Sequence, residues 1–265
     1  MKESLKSDCL QCIGICCVAL PYSKSTDFPL DKKEGQDCTH LLENNRCGIH
    51  NQLRKKGFRG CVSYECFGAG QHVTQNLYKG LDWRRDTDIK DEMFTVFTKV
   101  QQMHEMLMYL EQALTLNENH EIHDKLQKVL KETATLVNQD PKDIMELDVS
   151  KHREKVNPLL METSLLYREN HKTKSKKISS FFGKSFNKQN FEGYDFRGQL
   201  LIAANFSGAQ MSYADFIGAD LRDTNLSGAN LSGALFLTQS QINSAQGNQH
   251  TILPKYLDRP QHWRS

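Results

Sequence analysis

Residues 205–234 read NFSGAQMSYADFIGADLRDTNLSGANLSGA. Cut into fives, this stretch shows one pattern. The second place holds Phe206, Met211, Phe216, Leu221, Leu226 and Leu231; the fifth holds Ala209, Ala214, Ala219, Ala229 and Ala234. The register runs through ten blocks from Asn190 to Gln239, and Phe186 and Phe181 extend it backwards. Helices repeat every 3.6 residues and strands every two. A period of five therefore means a chain that turns a corner every five residues. Four blocks close a square coil, and successive coils stack as a solenoid. The large residue and the small one point inward. Asn, Asp, Ser, Gly and Arg face outward, and glycine eases the corners.

These blocks resemble the pentapeptide-repeat family. The resemblance implies a right-handed quadrilateral β-helix over residues 179–239, followed by a C-terminal cap over 240–265. A cap is physically required, because an open coil end exposes Phe and Leu; Trp263 is a candidate to cover it. Some members of the family mimic DNA and protect type II topoisomerases. That reading fits poorly here. About three coils at roughly 4.8 Å each give a rod of about 15 Å, against a DNA charge about every 1.7 Å. Residues 190–239 also carry only five acidic and two basic side chains. A rigid platform for a protein partner fits better. Family solenoids pair end to end, so a homodimer is open, and the capped end leaves it undecided.

The other end of the chain has a different chemistry. All eight cysteines fall in the first quarter: Cys9, Cys12, Cys16, Cys17, Cys38, Cys47, Cys61 and Cys66. The apolar run from Cys9 to Leu20 does not make an export signal. Glu3 and Asp8 interrupt its basic flank, and no small-residue cleavage site follows. The expected location is the cytoplasm, where thiols stay reduced and clustered cysteines read as ligands. The opening pattern is C-x2-C-x3-C-C. A C-x2-C turn points two sulfurs at one centre. Adjacent Cys16 and Cys17 share one tetrahedral site with difficulty, and more easily serve two sites, or one cluster and one structural contact. Thiolates suit zinc and iron–sulfur clusters alike. A thioredoxin-like dithiol needs a strand before its motif, and none is predicted; four disulfides require export.

Residues 1–75 resemble the YkgJ-type family, described as a zinc- or iron-chelating cysteine-rich domain. The eight cysteines carry the resemblance, with Leu41, Ile49 and His50 beside them. It implies all eight as metal ligands. The later segment, NQLRKKGFRGC, lacks the proline usual in the family. His50 and His40 are secondary candidates.

Between these ends, residues 76–178 read as helix. Ile89, Met93, Val96, Val100, Met103, Leu107, Leu110 and Leu114 form a stripe of alternating four and three spacing. Asn117–Asn119 breaks it. A second stripe runs Ile122, Leu126, Val129, Thr133, Val137. Asp140-Pro141 signals a helix start. A last helix, about 149–171, is expected to kink or restart at Pro158. The lysines from Lys172 to Lys188 read as a solvated linker whose phenylalanines begin the solenoid.

Lys and Arg total 34 and Asp and Glu 32, a balance that argues against a nucleic-acid partner. Mean hydropathy is −0.60, and no apolar stretch is long enough to cross a membrane. The phosphate-loop, dinucleotide and nucleophile-elbow motifs are absent. His120 and His123 are spaced wrongly for a zinc helix, and Gly68–Gly70 reads as a turn. The fold class expected is thus mixed: a cysteine-rich metal module, an α-helical middle and a C-terminal solenoid. The expected function is a metal-binding interaction protein, and the sequence leaves an enzymatic activity undecided. The alternative is an iron–sulfur enzyme or electron-transfer protein.

Overall fold

The computed structural model describes residues 3–116, 121–171 and 178–264. The break at Asn117–Asn119, the start of the His120–His123 pair and the lysines from Lys172 to Lys177 lie outside these residues. The chain divides into two compact units. One comprises Met1–Cys61 and Glu65–Leu160; the other comprises Val62–Tyr64 and Met161–Ser265.

The first unit begins with loops and short helices: α1 (Cys16–Ala19), the start of α2 (Arg59–Ser63), and α3 (Ala69–Gln71), the last continuing as a π-helical turn over His72–Leu77. Two antiparallel contacts, Tyr22 with Lys32 and Leu41 with Cys47, pin the loops. The long helix α4 (Lys90–Leu116) packs against α5 (Ile122–Leu136) and α6 (Pro141–Glu146). Six members of the expected stripe, from Met93 to Leu110, are buried. So are Phe94, Phe97, His104, Met106, Met108 and Tyr109, which makes α4 buried nearly all round over its middle. Asp140 stands before Pro141 with an extended backbone, as a helix start requires, and its carbonyl accepts from the Ile144 amide at 3.0 Å. Helix α7 (Val149–Glu169) runs through Pro158 without restarting. This corrects the expected restart. Pro158 lies on an exposed face, so the Glu154 carbonyl it leaves unbonded can take water instead.

The second unit is a solenoid that returns on itself every twenty residues. Parallel contacts join Ser185 to Asn205, Asn190 to Gln210, Asp195 to Asp215, and so on up to Asp215 with Leu235. Each is a single isolated bridge, and no extended strand occurs among the described residues. The coils are tied by bonds such as Phe206 N–H to Asn225 O and Asn225 N–H to Ala204 O, both 2.8 Å. Each block closes a turn, as from Ala209 N–H to Phe206 O at 3.0 Å. Up to Gly233 the fourth residue of each block has positive φ; in the last block Thr238 does not, because it caps the helix that follows. Glycine fills most of these places, but Lys188, Ala203, Tyr213 and Asp223 take the same conformation. In seven of the ten blocks the first residue is Asn or Asp, for a local reason: its side chain accepts the amide two residues on, as Asn205 does from Ser207 at 3.0 Å and Asp215 from Ile217 at 2.9 Å.

Every second-place residue from Phe181 to Phe236 is buried, as are the six fifth-place alanines. Phenylalanines stack from coil to coil: Phe186 over Phe206 and Phe196 over Phe216, each with ring centres 5.1 Å apart. The cap continues the ladder, with Asn225 facing Gln246 and Asn230 facing Ile252. Helix α8 (Gln239–Ser244) starts at Thr238 in a reciprocal capping box with Gln241. The Gln241 amide donates to the carbonyls of Phe216 and Ala219, both at 2.8 Å. Trp263 is 1% exposed, lies in the solenoid core, and donates its indole N–H to Ala245 O at 3.0 Å. Within this unit Arg168, also buried, reaches Gly193 O at 3.1 Å and the Asp195 carboxylate at 3.0 Å.

Candidate functional site

The eight cysteines are all free thiols in the first unit. Two loops are built to present sulfur. In the first, Gly14 holds φ at +70°, and a side chain there would strike Leu41 and the Asn45 carbonyl. The turn it permits aims the Gly14 and Ile15 amides at the Cys12 sulfur. In the second, the Leu41–Cys47 bridge and the bond from Leu41 N–H to Cys38 O (2.9 Å) bring Cys38 and Cys47 together. There the Ile49 amide is aimed at the Cys47 sulfur. Burial raises both the Cys12 and the Cys47 thiol, and the amides directed at sulfur offset only part of that rise.

The first loop is tied to the turn at 65–77. The Gln71 side chain accepts from the Asp8 amide at 3.0 Å, and that of Gln75 donates to Gln11 O at 3.0 Å. Arg46 holds the carbonyls of Cys9 and Leu10. Ser7 Oγ lies 2.9 Å from Cys66 Sγ. Gly70 is decisive here. The Cβ it lacks would lie 2.8 Å from Cys12 Sγ and 3.8 Å from Cys66 Sγ. Sequence reading took Gly68–Gly70 as a turn; Gly68 is the left-handed residue before α3, and Gly70 is the space that two sulfurs occupy. Behind them His104 holds Phe67 O at 2.8 Å, and His72 holds Val137 O at 2.9 Å. Phe67, next to Cys66, has a left-handed backbone.

The second loop is anchored to α1 by Cys38 N–H donating to Cys17 O at 3.1 Å. Tyr22 Oη lies 3.6 Å from Cys38 Sγ. Lys32 is the unforeseen member. It is buried, and its ammonium donates to the carbonyls of Val18, Lys33 and Gln36 at 2.9, 3.2 and 3.0 Å. A lone lysine in a loop carries no signal in sequence, so reading could not have found it. His40 packs edge-on to Phe58 at 5.0 Å, and His50 is an exposed residue opening a short turn.

Electrostatics follow from this crowding. Cys9 and Cys61 count as exposed over the whole residue, yet packing around their sulfurs together with the charge of neighbouring thiols pushes them up, to about 11 and about 12. Cys16 and Cys17 split in opposite directions. The Cys16 thiol donates to Cys17, which raises Cys16; the same bond, aided by the Lys32 ammonium, lowers Cys17. Among the described residues, no three His, Cys, Asp or Glu side chains converge closely enough to hold an ion. The thiols are neighbours rather than a closed ligand set. Their chemistry still fits a soft cation: they are mutually repelling as thiolates, and a cation offsets that repulsion.

The repeats define the class. Residues 200–236 match the family described as Pentapeptide repeats, in 8 copies. The C-terminal part of the chain thus carries pentapeptide repeats. Over its whole length the chain is similar to "Uncharacterized protein YybG" of Bacillus subtilis (strain 168), at 46% identity over 265 residues, covering 98% of this chain and 95% of the relative. The chain belongs to the family of that protein. A solved pentapeptide-repeat protein, Rfr23 from the cyanobacterium Cyanothece 51142, is 27% identical over 26% of this chain and 46% of its own, with a TM-score of 0.24.

Proposed function

We propose that this protein is a metal-binding interaction protein. In this reading residues 1–75 hold zinc or an iron–sulfur cluster through the eight cysteines. The pentapeptide repeats, as a right-handed quadrilateral β-helix, serve as the docking surface for a protein partner. One observation carries the metal reading: eight free thiols crowd into one small module, where burial and mutual repulsion raise several of them. A bound cation relieves that repulsion, and two loops already aim backbone amides at sulfur. The resemblance to the YkgJ-type family supports the same reading. A reducing cytoplasm suits it, because the thiols must stay free. Among the described residues no helix is long and apolar enough to cross a membrane.

The docking role is supported by the repeats themselves, since a stacked solenoid presents a rigid ordered face. Bound zinc would cross-link the loops; a cluster would add electron transfer. The test is to purify the full chain without oxygen, count metals by mass spectrometry and record the visible spectrum. Metal held in proportion to protein, and lost in Cys16→Ser and Cys47→Ser variants, is the expected result. Iron with sulfide and a bleachable brown band favours the electron-transfer form; colourless protein with zinc favours the structural form. Protein with no metal, or with metal unchanged in both variants, overturns the reading.

A further inference from the structure

Two of the thiols share a single space. Cys12 Sγ and Cys66 Sγ both lie within 4 Å of the point where Gly70 lacks a Cβ, and outside the glycine's own stretch of chain the three nearest atoms all belong to these two cysteines. The segments that carry them are laced together beside that point. Gln71 accepts from the Asp8 amide at 3.0 Å and donates to Lys6 O at 2.7 Å. Gln75 donates to Gln11 O, one residue before Cys12, at 3.0 Å. Thr74 donates to Gly70 O at 2.8 Å and fixes the floor of the space. Both cysteines are free thiols and partly exposed, so a small oxidant can reach them. Their surroundings differ. Ser7 Oγ donates to the Glu65 carboxylate and accepts from the Cys66 amide at 3.3 Å. Its one hydrogen is committed, so in its 2.9 Å contact with Cys66 the thiol is the donor. The Cys12 sulfur instead faces the Gly14 and Ile15 amides.

We propose that Cys12 and Cys66 form a reversible oxidation site, in which a peroxide closes a disulfide across the space left by Gly70. The reaction runs in two steps. Hydrogen peroxide transfers one oxygen to the Cys12 sulfur, giving a sulfenic acid and a water. The Cys66 sulfur then attacks the Cys12 sulfur. The S–S bond forms, the S–O bond breaks, and the oxygen leaves as a second water with the Cys66 proton. Two electrons pass from the two sulfurs to the peroxide, and a dithiol reductant returns them. In a reducing cytoplasm such a bond is transient, as redox-sensing disulfides there are. The pair needs no metal to react. Where the module holds metal as proposed above, the disulfide takes two ligands from it and releases the ion; that consequence alone rests on the metal reading.

The test treats the full chain, as isolated, with hydrogen peroxide, blocks the remaining thiols with N-ethylmaleimide and maps the unreduced peptides. The expected product joins Cys12 to Cys66, leaves the other cysteines alkylated and is reversed by dithiothreitol. In Cys66→Ser the sulfenic acid on Cys12 persists and is trapped by dimedone. Gly70→Ala keeps every thiol but pushes Cys12 out of the shared space, and slows bond formation about ten-fold or more. Helical circular dichroism checks that both variants are folded, and the wild-type map decides the matter if they are not. A bond from either cysteine to a different one, oxidation that leaves both as free thiols, or an unchanged rate in folded Gly70→Ala overturns the pairing. A chromogenic chelator in the same reaction follows metal. Release in step with the bond is expected, and metal retained after the bond has closed overturns that consequence. The same bond in protein isolated without metal upholds the oxidation site and overturns the metal reading.

Discussion

His104 shows how a single side chain ties the site to the core. It is 3% exposed on α4, and its ring donates to the carbonyl of Phe67, the residue after Cys66. Burial pushes its imidazole down to about 4. An unfolded histidine titrates near 6.5. Above pH 6.5 both states are neutral and the native state keeps its full stability. As the pH falls from 6.5 toward 4, the unfolded chain takes a proton that the native one refuses, so stability drops. The loss from this residue is up to about 3 kcal/mol. His72 and His152, also lowered by burial, act in the same direction. Urea unfolding of the first unit at pH 7 and pH 5 should show this slope, and His104→Gln should flatten it. An unchanged slope in that variant would assign the acid sensitivity elsewhere. The pairing of His104 with Phe67 was not legible in sequence, because the two lie 37 residues apart and the histidine falls among apolar neighbours. The cysteines were legible as a clustered set, and Cys16 next to Cys17 argued either for two sites or for one cluster and one structural contact. Their partners were not, because Cys12 meets Cys66 only through the fold around Gly70.

At the scale of elements, the solenoid was the readable part. Its inward positions recur ten times, so errors in one block are corrected by the others. The stripe on α4 was equally plain. Its buried far side was not, because Phe94, Phe97 and Tyr109 stand outside the period that reading followed. Nor was the passage of α7 through Pro158, since a proline signals a break whether or not water can reach the carbonyl it orphans. The stacked phenylalanines give this scale its prediction. Phe206 meets Phe181, Phe186, Phe191 and Phe196 with ring centres 5.1 to 6.0 Å apart. Phe206→Ala opens a cavity that neighbouring coils cannot fill, because each is held by its own ladder bonds. The expected cost is about 3–5 kcal/mol, read from the thermal unfolding of the repeat unit. A cost below about 1 kcal/mol would mean that the coils collapse onto the gap.

For the whole molecule, the two compact units carry one tryptophan each: Trp83 in the first and Trp263 in the second, both buried. Trp263→Phe leaves fluorescence reporting on the first unit; Trp83→Phe leaves it reporting on the second. If the cysteine module holds metal as proposed, a chelator removes ligand-linked stability from one reporter alone. A metal held at a hundred times its dissociation constant contributes about 2.7 kcal/mol, so the Trp83 transition should fall on chelation while the Trp263 transition stays. Movement of both, or of neither, would contradict a metal confined to the first unit.

The twenty-residue return of the solenoid has one more consequence. Each block advances the chain by a quarter turn, so the protein behaves like a toothed wheel whose phase is counted in residues. Inserting one residue throws every later side chain out of mesh, trading Phe for Asn at the axis. Inserting five restores the mesh but rotates everything downstream, cap included, to the next side. Only a whole revolution lengthens the rod silently. Variation in the length of such a chain is therefore quantised, and two relatives that differ by twenty residues here can present the same face to the same partner.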